Sequence, residues 1–284
     1  MIIDQEYEYK EGQHYNESDF NIIIENTEKV YLKNKKNLLF SFHKNVLNNE
    51  IYFPLLEKNY HDCNYHILTS AKRKIATGEK LQEKRTPSGI IGFIDTITPQ
   101  HKKLLKGISN GARKTKFLEK KKKEWNETLP LYKDIDKIFK KFLPKYYSNQ
   151  RKEYDKIIPE LKIAKTNFTT ITVNRNWRTA THTDKGDLMS GLSCIACLGN
   201  NKYKGGYLGF PKQKVLVKME PGDVIFMNSH QPHCNTPLDL GKQGVRYSLV
   251  CYIRENMKLY QYPVEVKNQQ FFLSKKDFDR FNKT

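Results

Sequence analysis

The feature that most constrains the fold is a ladder of short strand-like runs in the second half of the chain. Phe168-Thr169-Thr170-Ile171-Thr172-Val173 is rich in β-branched residues, which suit a pleated, half-buried surface. Further runs follow at residues 192–198, 207–210, 214–219, 224–227 and 247–253. Gly205-Gly206, Pro221-Gly222-Asp223 and Gly241 separate several of them with turn chemistry. Short strands at such intervals, after a helical stretch, predict an α+β chain with a mostly β core. The expected architecture is a double-stranded β-helix, a jelly-roll or cupin-like barrel, with supporting helices.

The helical stretch covers residues 101–161. Ile135, Ile138, Phe139, Phe142 and Leu143 recur at the spacing of one buried helix face, with Lys137, Lys140 and Lys141 on the other. Before it, Thr86-Pro87-Ser88-Gly89 signals a turn, and residues 90–94 suit a buried strand. Residues 1–85 read as an N-terminal extension that packs on the core through two apolar patches, one at Leu38, Leu39, Phe40 and Phe42, the other at residues 51–56. Residues 86–284 read as the main domain, with its β core at about 165–256. Near the end, Ser274 and Asp277 precede Phe278 and Phe281 as in a capped short helix.

Charge narrows the partners. Lys and Arg number 50 against 31 Asp and Glu, a formal net charge of +19. Such a field attracts polyanions through counterion release. Nucleic acid is the first candidate and an anionic membrane surface the second. The run Lys120, Lys121, Lys122 and Lys123 lies just before Trp125, an arrangement that can hold a phosphate backbone, although such runs also serve as solvated helix faces. No apolar run approaches the roughly 18 residues of a membrane span. Five cysteines, an odd count without a secretory signal, point to a reducing intracellular compartment.

The chemistry concentrates after the first strand of the ladder. His182-Thr183-Asp184 places an imidazole and a carboxylate two residues apart. A second imidazole, from His233 or its neighbour His230, follows the run at 224–227. Two imidazoles and one carboxylate form the facial triad of non-haem Fe(II) sites, which leaves three coordination positions open. Two of those would take a chelating keto acid, 2-oxoglutarate, and the third O2. The keto acid carries a second carboxylate that needs a cation. Arg246 opens the last core strand and offers a planar fork; Ser248, two residues on, points to the same face.

The string FTTITVNRNWRTATHTDKGDL at 168–188 resembles the TET/JBP dioxygenases, as do EPGDVIFMNSHQPHCNT at 220–236 and VRYSLVCYIRE at 245–255. SGIIGF at 88–93 adds a weaker match, and the likeness is greatest to the thymine hydroxylase domain of the JBP branch. The resemblance selects His233 over His230. It implies His182, Asp184 and His233 as iron ligands, Arg246 and Ser248 as the 2-oxoglutarate anchor, and residues 86–284 as a dioxygenase domain. It implies that Asp187 faces the target base, and that Arg175 and Arg178 contact DNA phosphate or support the iron loop. The expected activity is hydroxylation of the 5-methyl group of thymine, or of 5-methylcytosine, in DNA. The expected setting is a nucleus or a site of DNA replication, and a monomer is favoured. Two other readings stand beside it: an AlkB-like or protein-hydroxylating oxygenase, and a silent DNA-binding module on the same scaffold. Neither the JBP DNA-binding module nor the TET cysteine-rich zinc region has a counterpart in this sequence.

Overall fold

A computed structural model of the protein describes residues 1–33, 37–61 and 88–283. Cys63, the Thr86-Pro87 half of the expected turn and the expected boundary between residues 85 and 86 lie outside the described residues. The strands are β1 (Ile2–Ile3), β2 (Ile22–Ile24), β3 (Glu28–Leu32), β4 (Asn37–His43), β5 (Ser88–Thr96), β6 (Asn110–Lys114), β7 (Thr170–Arg175), β8 (Ser193–Gly199), β9 (Lys204–Gly205), β10 (Leu208–Phe210), β11 (Val215–Val217), β12 (Val224–Met227), β13 (Cys234–Asn235), β14 (Leu238–Asp239), β15 (Arg246–Tyr252), β16 (Tyr262–Val266) and β17 (Gln269–Leu273). The α-helices are α1 (Asn49–Leu56), α2 (Pro99–Leu104), α3 (Lys116–Lys120), α4 (Lys122–Phe142), α5 (Pro144–Asp155) and α6 (Lys275–Lys283). They belong to two compact units. The first comprises Met1–Gly89, Thr172–Lys185 and Leu192–Val250; the second comprises Ile90–Ile171, Gly186–Gly191 and Cys251–Thr284.

The first unit is the jelly roll. Its larger sheet runs β1-β3-β4-β12-β8-β15-β7, and a second sheet runs β13-β10-β11-β2. Alternation along β12 turns Ile225 and Met227 to one face, where antiparallel pairing sets them opposite Phe42 and Phe40 of β4. The same buried cluster takes in Phe210, Val215 and Val217 from the second sheet, and Phe40 stacks on Phe210 with ring centroids 5.1 Å apart. Each fully buried side chain of this size contributes about 1.5–3 kcal/mol of transfer free energy. The apolar patch at residues 38–42 is therefore a central strand of this sheet. The patch at 51–56 is α1, capped by the Asn48 side chain on the Ile51 amide and continued by a π-helical turn at Glu57–His61.

The second unit carries four antiparallel strands in the order β5-β6-β17-β16, and the helices α2 to α6. On α4, Leu131, Ile135 and Phe139 are fully buried, and Lys137, Lys140 and Lys141 are exposed. Trp125 is buried on this helix and stacks on Tyr132. The expectation of helix throughout 101–161 fails at β6. Ala112 and Arg113 pair there with Phe272 and Phe271 of β17, a partner far along the chain that no local periodicity announces. Gly111 makes the approach possible: a β-carbon there would stand 3.1 Å from the Phe272 carbonyl oxygen.

Buried His43 on β4 gives the fold a pH dependence. Burial, reinforced by Lys29, pushes its imidazole down to about 4. Below pH 6.5 the unfolded chain takes up a proton that the folded chain refuses until about pH 4. This contribution is therefore complete above pH 6.5 and is lost as pH falls, by on the order of 3 kcal/mol at pH 4. Urea unfolding between pH 7 and 4 should show this slope, and His43→Gln should flatten it. An unchanged slope in the variant would assign the effect elsewhere.

Candidate metal centre

Asn176, at φ +52°, turns the chain out of β7 in the left-handed region that Asn tolerates better than most residues. Its side-chain oxygen accepts from the Arg246 amide at 2.7 Å and its own amide donates to the Arg246 carbonyl at 2.8 Å. The chain then reaches His182, which pairs with His233 as an isolated antiparallel bridge. Each amide donates to the other's carbonyl at 3.0 Å. One step further, the Asp184 amide donates to the Ser229 carbonyl at 3.0 Å.

These backbone bonds converge three side chains. The imidazole centroids of His182 and His233 stand 4.4 Å apart. Asp184 Oδ1 lies 3.9 Å from His182 Nε2, and Oδ2 lies 3.5 Å from His233 Nε2. One donor atom from each residue falls within 4.8 Å of the others, the sole such group of ligand-type side chains among the described residues. His230 is outside it. His182 Nδ1 contacts the Ala180 carbonyl at 2.8 Å and His233 Nδ1 the Gln231 carbonyl at 2.9 Å. A carbonyl only accepts, so each Nδ1 carries the proton and each Nε2 presents its lone pair to the shared space. Burial, with the His233 imidazole beside it, holds His182 below its ordinary value and so neutral near pH 7. Two imidazoles and a carboxylate suit a divalent first-row metal such as Fe(II).

Arg246 begins β15 and is 2% exposed. Its Nε is buried without a hydrogen-bond partner among the described residues. Gly206, at φ +70°, leaves room beside it; a β-carbon there would sit 3.3 Å from that nitrogen. Ser248, also buried, lies two residues along the same strand face.

The remaining predicted residues separate into different surroundings. Arg175 makes an ion pair with Glu57 at 3.1 Å, and Glu57 also accepts from the Tyr247 hydroxyl at 2.5 Å. Burial works against the Glu57 charge, but Arg175 and Tyr247 outweigh it and hold the carboxyl below its usual range. Arg178 donates to the carbonyls of Asn235 and Tyr15. Lys120, Lys122 and Lys123 are exposed, and Lys121 pairs with Glu124 at 3.2 Å. Asp187, in the second unit, is buried with its carboxylate 4.0 Å from Arg254 Nη1.

Arg254 is a residue that the sequence reading missed. Its Nε and Nη2 both contact Asp95 Oδ1 at 2.8 Å, so one guanidinium lies between two buried carboxylates. Burial opposes its charge; Asp95, Tyr252 and Asp187 outweigh that cost and hold it protonated. Gly186 leaves room beneath it, because a β-carbon there would collide with the guanidinium unless the arginine shifted. Arg254 stands in the last of the resembling strings, but Asp95 is distant in sequence and no spacing links the two.

The Tet_JBP family, the oxygenase domain of the 2OGFeDO superfamily, matches residues 74–255, well over half of the chain. The thymine dioxygenase JBP1 of Crithidia fasciculata is 37% identical over 171 residues, 59% of this chain and 20% of that protein. The bifunctional helicase and thymine dioxygenase JBP2 of Leishmania braziliensis is 32% identical over 173 residues, 60% of this chain and 15% of that protein. The chain thus spans a fifth or less of the length of these curated relatives. Among solved structures, NgTET1 in complex with 5mC DNA superposes with a TM-score of 0.61 at 17% identity, covering 93% of this chain and 91% of that one, which establishes a shared fold.

The packing of Arg254 over Gly186 yields a stability test. Gly186→Ala should displace the guanidinium from Asp95 and Asp187, costing about 1–3 kcal/mol in chemical unfolding. A loss under about 1 kcal/mol would show that the loop accommodates the methyl group.

Proposed function

The chain belongs to the TET/JBP family of oxygenase domains within the 2-oxoglutarate and Fe(II) dioxygenase superfamily, and from that membership we propose that it hydroxylates the 5-methyl group of thymine in DNA. The observation that carries the reading is the convergence of His182, Asp184 and His233 with both Nε2 lone pairs turned inward. In this reading these three side chains hold Fe(II). Arg246 and Ser248 take the distal carboxylate of 2-oxoglutarate, and the buried, unpartnered Arg246 Nε supports that assignment as a donor suited to an anionic acceptor. Bound together, iron and 2-oxoglutarate activate O2 for oxidation of a C–H bond.

The residues of the chain supply binding and orientation. The Nδ1 bonds to Ala180 and Gln231 fix both rings, as outer partners of metal-binding imidazoles commonly do. Asp187 accepts the N3–H of thymine, with the Arg254 guanidinium 4.0 Å from its carboxylate. A 5-methyl group inside a duplex sits in the major groove, so the target base must leave the stack at a cost of about a few kcal/mol. The net charge of +19 offsets part of that cost through contacts with phosphate, and exposed Lys120, Lys122 and Lys123 are among the cations available. Identity to thymine dioxygenases favours thymine over 5-methylcytosine as the substrate.

The test is incubation with Fe(II), 2-oxoglutarate and duplexes containing thymine or 5-methylcytosine, followed by nucleoside mass spectrometry. Hydroxymethyl product from thymine is expected, and its complete loss in His182→Ala, Asp184→Ala and His233→Ala. Arg246→Met should raise the KM for 2-oxoglutarate by about 10- to 10²-fold, the loss of a charge-assisted bond worth roughly 1.5–3 kcal/mol. Consumption of 2-oxoglutarate with no hydroxymethyl base from either duplex would redirect the assignment to another substrate.

A further inference from the structure

The bridge between His182 and His233 has a third participant. Residues 10–13 form a tight turn closed by the Gln13 amide on the Lys10 carbonyl at 3.2 Å, with Gly12 at φ +78° in the position that demands glycine. This turn lies against Thr181. The Gly12 amide donates to the Thr181 carbonyl at 2.8 Å, and the Thr181 amide donates to the Gln13 carbonyl at 2.9 Å. The Thr181 hydroxyl donates to that same carbonyl at 2.9 Å. On either side the segment is tied down again: the Tyr7 amide donates to the Lys212 carbonyl, and Arg178 donates to the Tyr15 carbonyl at 2.9 Å. Glu11 faces Lys185 at 3.7 Å, an exposed pair that adds little.

The two peptide groups flanking Thr181 are the ones that set the first imidazole. In the peptide joining Ala180 to Thr181, the carbonyl accepts from His182 Nδ1 and the amide donates to Gln13. In the peptide joining Thr181 to His182, the carbonyl accepts from Gly12 and the amide donates to His233. Each peptide is thus held on one side by the imidazole pair and on the other by the turn. Thr181 is fully buried, so with the turn in place these bonds have no competitor in solvent. We infer that residues 7–15 are a strap that positions His182 through Thr181, which makes Thr181 a positioning residue for metal binding. The inference rests on the metal-centre reading above. Linked bonds of this kind reinforce one another, and outer partners of metal ligands typically carry 10–100-fold in metal affinity.

Two measurements test it, both on the whole chain and neither on turnover. Fe(II) affinity is measured by anaerobic calorimetry for the unmodified protein, Thr181→Val and Thr181→Ser. Valine removes the hydroxyl at nearly constant volume and should weaken Fe(II) binding about tenfold; serine keeps the hydroxyl and should restore it. In parallel, amide hydrogen exchange of the unmodified protein is followed with and without Fe(II). Because coupling is reciprocal, metal should slow exchange at the Gly12 and Thr181 amides while leaving β16 and β17 unchanged. If Thr181→Val fails to fold, the exchange experiment decides. Equal affinity in a folded Thr181→Val, or no change at Gly12 and Thr181 on metal binding, overturns the strap alone. No Fe(II) binding by the unmodified protein overturns the metal centre, and the strap with it.

Discussion

The reciprocal hydrogen bonds between the peptide groups of His182 and His233 are the contact on which the rest of the site depends. Side chains on antiparallel segments can meet at 4.4 Å only if the register of those segments is fixed. Two backbone bonds fix it, and each contributes about 1 kcal/mol net in the ordinary case. Their value lies more in geometry than in energy. A slip of one residue would send His233 to the opposite face and take its Nε2 away from Asp184. The Asp184–Ser229 bond extends the same register by one step, so the carboxylate arrives with the imidazoles and not independently of them.

Two arginines, Arg246 buried and Arg254 partly buried, differ in how their donors are paired. Arg254 is surrounded by acceptors, and Gly186 has no side chain so that its guanidinium can lie flat. Breaking such a group leaves uncompensated charge, so it fixes the loop that carries Asp187. Arg246 is more deeply buried, at 2% exposure, and leaves Nε without a hydrogen-bond partner among the described residues. An unsatisfied buried donor costs roughly 1–3 kcal/mol, and more when the group is charged. Folded proteins seldom tolerate that cost without a compensating ligand, which is the physical reason to read Arg246 as a binding group and Arg254 as a structural one.

The sequence made the jelly roll legible because its strands are short, β-branched and separated by turn residues. The runs at 192–198, 224–227 and 247–253 became β8, β12 and β15 with shifts of a residue at most. It also exposed the His182-Thr183-Asp184 pair and Arg246, since coordination chemistry demands particular residue types. What it concealed depends on partners far along the chain. β6 exists because β17 arrives beside Gly111, and residues 110–114 carry no strand pattern of their own. The Arg254–Asp95 pair and the turn at Gly12 are likewise contacts between distant segments of ordinary composition. Local periodicity reports which face of an element is apolar, and it is silent on which backbone will supply the missing hydrogen bonds.

The arginines of the resembling string bear on how the net charge of +19 is used. In a basic protein every cation is a candidate for phosphate, yet Arg175 spends its fork on Glu57, and Arg178 spends two donors on the carbonyls of Asn235 and Tyr15. Bonds already made inside the fold are not available to a backbone phosphate without loss. Lys122 and Lys123, by contrast, are exposed at the start of α4, and Lys120 ends α3 just before them. Flexible, hydrated ammonium groups of this kind attract a polyanion without fixing its register. Binding of a polyanion through such lysines would weaken steeply with salt and depend little on sequence, since Arg175 and Arg178, whose forks could impose geometry, are engaged inside the fold.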